Sequence, residues 1–153
     1  MAKKAKNSRK EFIWAIILLI IVAIFICLYP QPTNVCFENK CFKVETVSTD
    51  RDRAIGLSYR DRLDLDKGML FVFDYEDKHS FWMRNTLIPL DIIWLDANKN
   101  IVFIKENAEP CKEGELCETI KPVKPALYVL EVNAGQAKEA GLKIGDNLTF
   151  NFK

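Results

Sequence analysis

Phe81-Trp82-Met83-Arg84-Asn85-Thr86-Leu87-Ile88-Pro89-Leu90-Asp91-Ile92-Ile93-Trp94-Leu95-Asp96 is the stretch on which the reading of this chain turns. With the period of two that a strand imposes, Leu87, Ile93 and Leu95 share a face with Asp91, while Ile88, Leu90, Ile92 and Trp94 face the other way. Both faces are apolar, so the strand is central or covered. Asp91 is the anomaly. Burying an unpaired carboxylate is strongly unfavourable, so Asp91 either borders a wet cleft or meets a donor such as Arg84, Asn85 or Arg60.

Working outward, Ala97-Asn98-Lys99-Asn100 is a polar turn and residues 101–105 return as a strand, so residues 87–105 form an antiparallel hairpin. Residues 128–132 repeat the two-sided apolar pattern around a second acid, Glu131, which shares a face with Leu127 and Val129. Gly68-Met69-Leu70-Phe71-Val72-Phe73 is a short buried strand between charged flanks. Residues 35–44 alternate on either side of Asn39 and read as a hairpin stapled by Cys36 and Cys41.

Two short helices complete the set. Thr49 and Asp52 have capping-box-like spacing ahead of Ala54, Ile55 and Leu57. A second helix follows Asn133, a candidate cap, and stops at Gly141, before a closing strand over 148–152. Residues 107–124 form a long loop that Cys111 and Cys117 tie down. The expectation is a mostly β domain with short helices, a compact sandwich or partly open barrel, preceded by one transmembrane helix.

That helix is read from residues 12–29, which carry no charge and reach the length needed to cross a bilayer core. Lys3, Lys4, Lys6, Arg9 and Lys10 precede it, so residues 1–11 read as a basic cytoplasmic tail and the lipid bilayer as a partner through 12–29. Residues 30–34, Pro-Gln-Pro-Thr-Asn, are a stiff linker, and residues 35–153 are an extracytoplasmic β-rich domain. A cleaved leader is the competing reading. Its apolar region would be long, and no small-residue pair precedes a cut near Leu28-Tyr29-Pro30.

Removing the tail's five basic residues and Glu11 from totals of 22 and 21 leaves 17 basic and 20 acidic groups, a net charge of −3. Such a domain is a poor nucleic-acid binder. Outside the cytoplasm, Cys36 with Cys41 and Cys111 with Cys117 are expected to oxidise as local pairs. A four-cysteine zinc site is the alternative, but the spacings suit it poorly, and neither pair has the two-residue spacing of a redox motif.

Taken together, Arg53-Ala54-Ile55-Gly56-Leu57, the 68–73 strand, the 81–91 block, Pro110-Cys111 with Cys117, and Val129-Leu130-Glu131-Val132-Asn133-Ala134-Gly135 make the chain resemble domain of unknown function family 192 across residues 44–150. The family comprises small, often exported or membrane-anchored prokaryotic proteins. The resemblance implies a compact β-rich fold and no activity. Ser58, Arg84 and Ile120 depart from the family's usual residues, and Cys36 and Cys41 lie outside its pattern.

The candidate ligand-binding residues are therefore Trp82, Arg84, Asn85, Asp91, Glu131 and Arg60. If the two acids approach each other with an arginine between them, the group could clamp a small ligand, or hydrolyse one by the two-carboxylate route at a separation of about 5 to 10 Å. Against both stands a structural role, with each acid satisfied by backbone N–H groups or an arginine. His79, the lone histidine, sits in a charged loop and reads as solvated; no metal site, cofactor motif or phosphate loop is present in the pattern. The expectation is a membrane-anchored extracytoplasmic domain that binds a small ligand or an envelope partner near residues 82–91. A carboxylate-dependent hydrolase using Asp91 and Glu131 and a purely structural domain are the alternatives.

Overall fold

A computed structural model describes residues 2–28, 33–111 and 114–152, with side chains for 10–24 in the first segment. The chain divides into two compact units, Met1–Gln31 and Pro32–Lys153. The first carries helix α1 (Ala2–Leu28), whose described apolar side chains, among them Phe12, Trp14 and Leu19, are exposed. Among the described residues no helix is long and apolar enough to cross a membrane. The span expected over 12–29 and the linker over 30–34 fall partly outside the described residues.

The second unit runs β1 (Thr33–Phe37), β2 (Lys40–Val47), α2 (Asp50–Ile55), β3 (Lys67–Asp77), β4 (Leu90–Leu95), β5 (Ile101–Ala108), β6 (Ala126–Asn133) and α3 (Gln136–Glu139). All six strands lie in one open sheet of order β1-β2-β3-β6-β4-β5, so the two-sheet sandwich gives way to a single sheet. Among the described strands only β2 and β3 pair in parallel, and the crossover that a parallel pair requires carries α2. Strand β6 returns to lie between β3 and β4, antiparallel to both.

Local chemistry explains the turns. The Asp96 carboxylate accepts from the Asn100 backbone N–H at 2.8 Å and from its side-chain amide at 3.1 Å, closing the β4–β5 hairpin with Lys99 in the left-handed region. Thr49 caps α2 as its spacing predicts, accepting from the Asp52 N–H at 3.1 Å. Asn133 does not cap α3. Its amide instead donates to the carbonyls of Leu63 and Asp64 at 2.9 and 3.1 Å, and left-handed Gly135 leads into the helix.

Alternation along β4 and β6 divides the core into two layers. One face packs Ile93, Leu95, Leu130 and Val132 with Phe42, Ala137 and Leu148; the other packs Leu90, Ile92, Trp94 and Val129 with Leu57, Met69 and Phe71. Burying each of the larger side chains contributes about 1.5–3 kcal/mol. The faces assigned to β4 and β6 from their period are the observed ones. Leu87 lies outside β4 and is exposed.

No continuous strand forms over 148–152; residues 145–149 make isolated bridges instead. Thr149 exchanges backbone hydrogen bonds with Cys36 of β1, and Asn147 pairs with Asn100 at the start of β5. One short segment thus touches both outer strands. Six flat strands would separate those edges by about 24 Å, whereas two residues plus two strand spacings reach only about 17 Å, so the sheet curls.

Candidate functional site

Asp91 is fully buried, and both of its carboxylate oxygens are engaged by backbone. Oδ1 accepts from the Asn107 N–H at 2.9 Å and Oδ2 from the Ala137 N–H at 2.8 Å. The first donor sits at a break in register, where Leu90 pairs with Ala108 but Ile92 pairs with Lys105, so two β5 residues oppose Asp91 alone. Asn107 takes a positive φ there. The second donor is in the first turn of α3, whose free N–H groups need acceptors. Asp91 therefore stitches a bulge to a helix start on the Ile93 face, and the structural role is the one the geometry assigns.

Glu131 has the opposite placement. It is 5 % exposed and, among the described residues, has no hydrogen-bond or ion-pair partner. Burial alone pushes its carboxyl up to about 8. In the β4–β6 register Asp91 lies opposite Val132 and Ile92 opposite Glu131, so the two acids project from opposite faces of the sheet. They cannot flank one scissile bond, and the two-carboxylate hydrolase fails on that geometry.

The Glu131 face carries the cleft. A chamber of about 230 Å³ is bounded by Glu131, by Phe71 and Phe73 of β3, by residues 53–58 of α2 and the turn after it, and by Phe81, Trp82 and Arg84. Trp82, Arg84, Ala54 and Ser58 also line a second, more polar space of about 590 Å³ that reaches Asn85 and the Cys111–Cys117 disulfide. The shared residues make these two chambers of one cleft.

Its walls are held from behind. Phe81 exchanges backbone hydrogen bonds with Ile120 at 2.9 and 2.8 Å, and the Cys111 N–H donates to Met83 at 3.2 Å, so the long loop pins both sides of Trp82. Met83 turns inward, buried, whereas Trp82 is 56 % exposed at the mouth. On the far wall, Arg53 donates to the carbonyls of Ser48 and Val72 at 2.5 and 2.6 Å and pairs with Asp50 at 2.6 Å. Its guanidinium also covers the Phe73 ring, whose centroid lies 4.9 Å away. These bonds fix α2 against β3.

Two expected residues lie elsewhere. Asp91 is on the other face, and Arg60 forms a two-pronged pair with Glu45 at 2.5 and 2.7 Å that holds the Glu45 carboxyl below its usual range. Trp82, Arg84, Asn85 and Glu131 do meet around the cleft. Phe71, Phe73, Ser58, Ser80 and Thr86, absent from the expected set, complete the lining. Nothing local marks Phe71, Phe73 and Ser58, which come from β3 and the turn after α2, whereas Ser80 and Thr86 flank the 81–85 block. His79 is half-buried rather than solvated, stacked on Phe73 with ring centroids 3.5 Å apart. Among the described residues no group of three His, Cys, Asp or Glu side chains could hold a metal.

An open, curled six-stranded sheet with a carboxyl-floored cleft on one face defines a small β-rich domain with a ligand-sized cavity. The chain belongs to the DUF192 family, described as "Uncharacterized ACR", whose match spans residues 33–150 and so takes in the first disulfide. It is similar to a crystal structure of a protein of unknown function from Novosphingobium aromaticivorans DSM 12444, with 36% identity, a TM-score of 0.69, and coverage of 77% of this chain and 83% of that one. A Sinorhizobium meliloti 1021 structure described as a "putative transcription regulator" is also similar, at 33% identity and TM-score 0.71, covering 80% and 94%. No curated protein matches the chain.

Proposed function

We propose that this protein is a membrane-tethered, extracytoplasmic binding module whose cleft beside Trp82 takes a small ligand. The observation that carries the ligand-binding reading is Glu131, a nearly fully buried carboxyl that has no partner among the described residues and lies at the floor of a cavity walled by aromatic rings. The 5 % of Glu131 that is exposed opens into the cavity, and a polar group aimed into an apolar cavity is how binding sites orient what they take. At about 230 Å³ the first chamber is below the ~300–1,000 Å³ of drug-sized sites, so it suits a small molecule or a single side chain.

Tethering rests on other features. A basic cluster at residues 3–10 followed by the uncharged run 12–29 gives orientation and reach, and α1 is continuous over Ala2–Leu28. The disulfides Cys36–Cys41 and Cys111–Cys117 are of the kind that oxidising compartments retain. The net charge of −3 beyond the tail disfavours nucleic acid as a partner, whatever the Sinorhizobium relative binds.

The test is a fragment screen read by two-dimensional NMR on the full-length protein. Ligands should move the Trp82 indole and Glu131-adjacent resonances, and Trp82→Ala should abolish the shifts without unfolding the domain. A screen in which no fragment moves the cleft would overturn the reading. Docking of an envelope protein is the second reading, favoured by exposed Ile55 and Trp82 of the cleft and by exposed Leu116, next in sequence to the lining residues Glu115 and Cys117. Partner capture that is lost with Trp82→Asp but unaffected by Glu131→Gln would select it.

A further inference from the structure

The first chamber holds more acceptors than its own residues use. Besides Glu131, its lining includes the hydroxyls of Ser58, Ser80 and Thr86, and none of the three makes a side-chain hydrogen bond among the described residues. The charged groups facing Glu131 from the surrounding elements are Arg53 of α2 and Arg84 of the 81–86 segment. Its cross-strand neighbours, Met69 of β3 and Ile92 of β4, are apolar. Arg53 is already consumed by Asp50 and two carbonyls. Arg84 is exposed at the mouth shared with the second chamber. Among the described residues no cation acts on the Glu131 carboxyl, whose only perturbation is burial.

A ligand that completes this site brings several donors and one positive charge. An ammonium has three N–H donors and no acceptor, which matches one carboxylate and the neighbouring hydroxyls. The ring of Trp82, which makes no ring contact among the described residues, offers a π face to a cation at the entrance. An anion on the same floor would meet either a like charge or a single acid proton, and a neutral alcohol would leave the carboxyl un-ionised.

We propose, resting on the ligand-binding reading above, that the first chamber takes a primary amine, its ammonium pairing with the Glu131 carboxylate and its alkyl body lying between Trp82 and the phenylalanines. Binding exchanges charge for proton: the carboxyl releases its proton to solvent, the ammonium stays protonated, and an ion pair replaces a neutral acid. Arg84 leaves the other end of the ligand free to carry an anionic group.

The experiment titrates the full-length protein in lipid nanodiscs with n-butylamine, n-butanol and butanoate, three probes of one shape. Butylamine should bind at least tenfold more tightly than the others. Its affinity should rise roughly tenfold per pH unit from about pH 6 to about pH 8, then level, with close to one proton released per amine bound. Glu131→Gln, which keeps size and shape, should remove both the preference and the pH dependence. N-acetyl-lysine methylamide separates the sources: binding on a par with butylamine assigns a protein lysine, binding of butylamine alone assigns a free amine, and both uphold the pairing. Binding of butanol or butanoate at least as tight as butylamine, or tighter binding of all probes at low pH, overturns the amine assignment while leaving the cleft a ligand site. Silence of the cleft to these probes and to every fragment overturns both.

Discussion

Asp91 and Glu131 lie one register step apart on neighbouring strands and point to opposite faces of the sheet, Asp91 opposite Val132 and Glu131 opposite Ile92. Two acids that look alike in sequence therefore have unlike roles. One is saturated by backbone N–H groups, and the other faces a cavity with its hydrogen-bonding capacity unused by the described residues.

Asp91→Asn tests the saturated one. The amide keeps a single acceptor and aims its NH₂ donors at an N–H that had a carboxylate, so stability should fall by about 2–4 kcal/mol. Chemical denaturation measures this. A change below about 0.5 kcal/mol would show that the bulge and α3 do not depend on the carboxylate.

Glu131 makes the domain's stability depend on pH in a stated direction. Its acid is held up at about 8 in the folded protein, while an unfolded chain ionises it near the ordinary glutamate value of about 4.3. Between those values the unfolded state releases a proton that the folded state retains. The stability that Glu131 contributes is complete below the unfolded value and is lost as pH rises towards about 8, at up to roughly 1.4 kcal/mol per pH unit. Glu131→Gln should erase that slope and be the more stable protein at pH 8. Parallel stability–pH curves for the two proteins would refute the raised value.

Gly68→Ala is expected to be severe. A Cβ at Gly68 would stand 2.5 Å from the Glu131 carbonyl oxygen, across the β3–β6 pairing that supports the cleft floor. Overpacking of this kind costs about 1–3 kcal/mol, because backbone cannot step aside as a flexible side chain can. Gly68 does not take a positive φ, so an alanine there adds crowding without left-handed backbone strain, and an unchanged melting temperature for Gly68→Ala would contradict the crowding account.

The two disulfides should separate in a similar comparison. Cys36 and Cys41 face each other across the β1–β2 hairpin, and replacing both by serine removes a short closed loop worth about 2 kcal/mol on chain-entropy grounds. The same pair of changes at Cys111 and Cys117 releases the loop bordering the second chamber, so it should weaken cleft binding as well as stability. Unaltered binding in that variant would place the loop outside the site.

Much of the fold is visible along the chain because it is local. Two-residue periodicity assigns the faces of β4 and β6, Thr49 and Asp52 announce α2, and the close cysteine pairs announce their own bridges. Half-visible is the site: Trp82, Arg84 and Asn85 are sequence neighbours and can be grouped, whereas Phe71, Phe73 and Ser58 reach the same cleft from segments that only packing brings together.

By itself the sequence determined the central strands and their two-sided burial, though not the closing strand expected over 148–152, together with the family and the unusual presence of two acids in apolar strands. Only the tertiary structure decided that β6 enters between β3 and β4, that Arg60 turns to Glu45, and that Glu131 rather than Asp91 faces the cavity. The reason is register. Alternation within a strand is a local property, but which face of one strand matches which face of the next is set by non-local pairing, and a slip of one residue would exchange the two acids' surroundings.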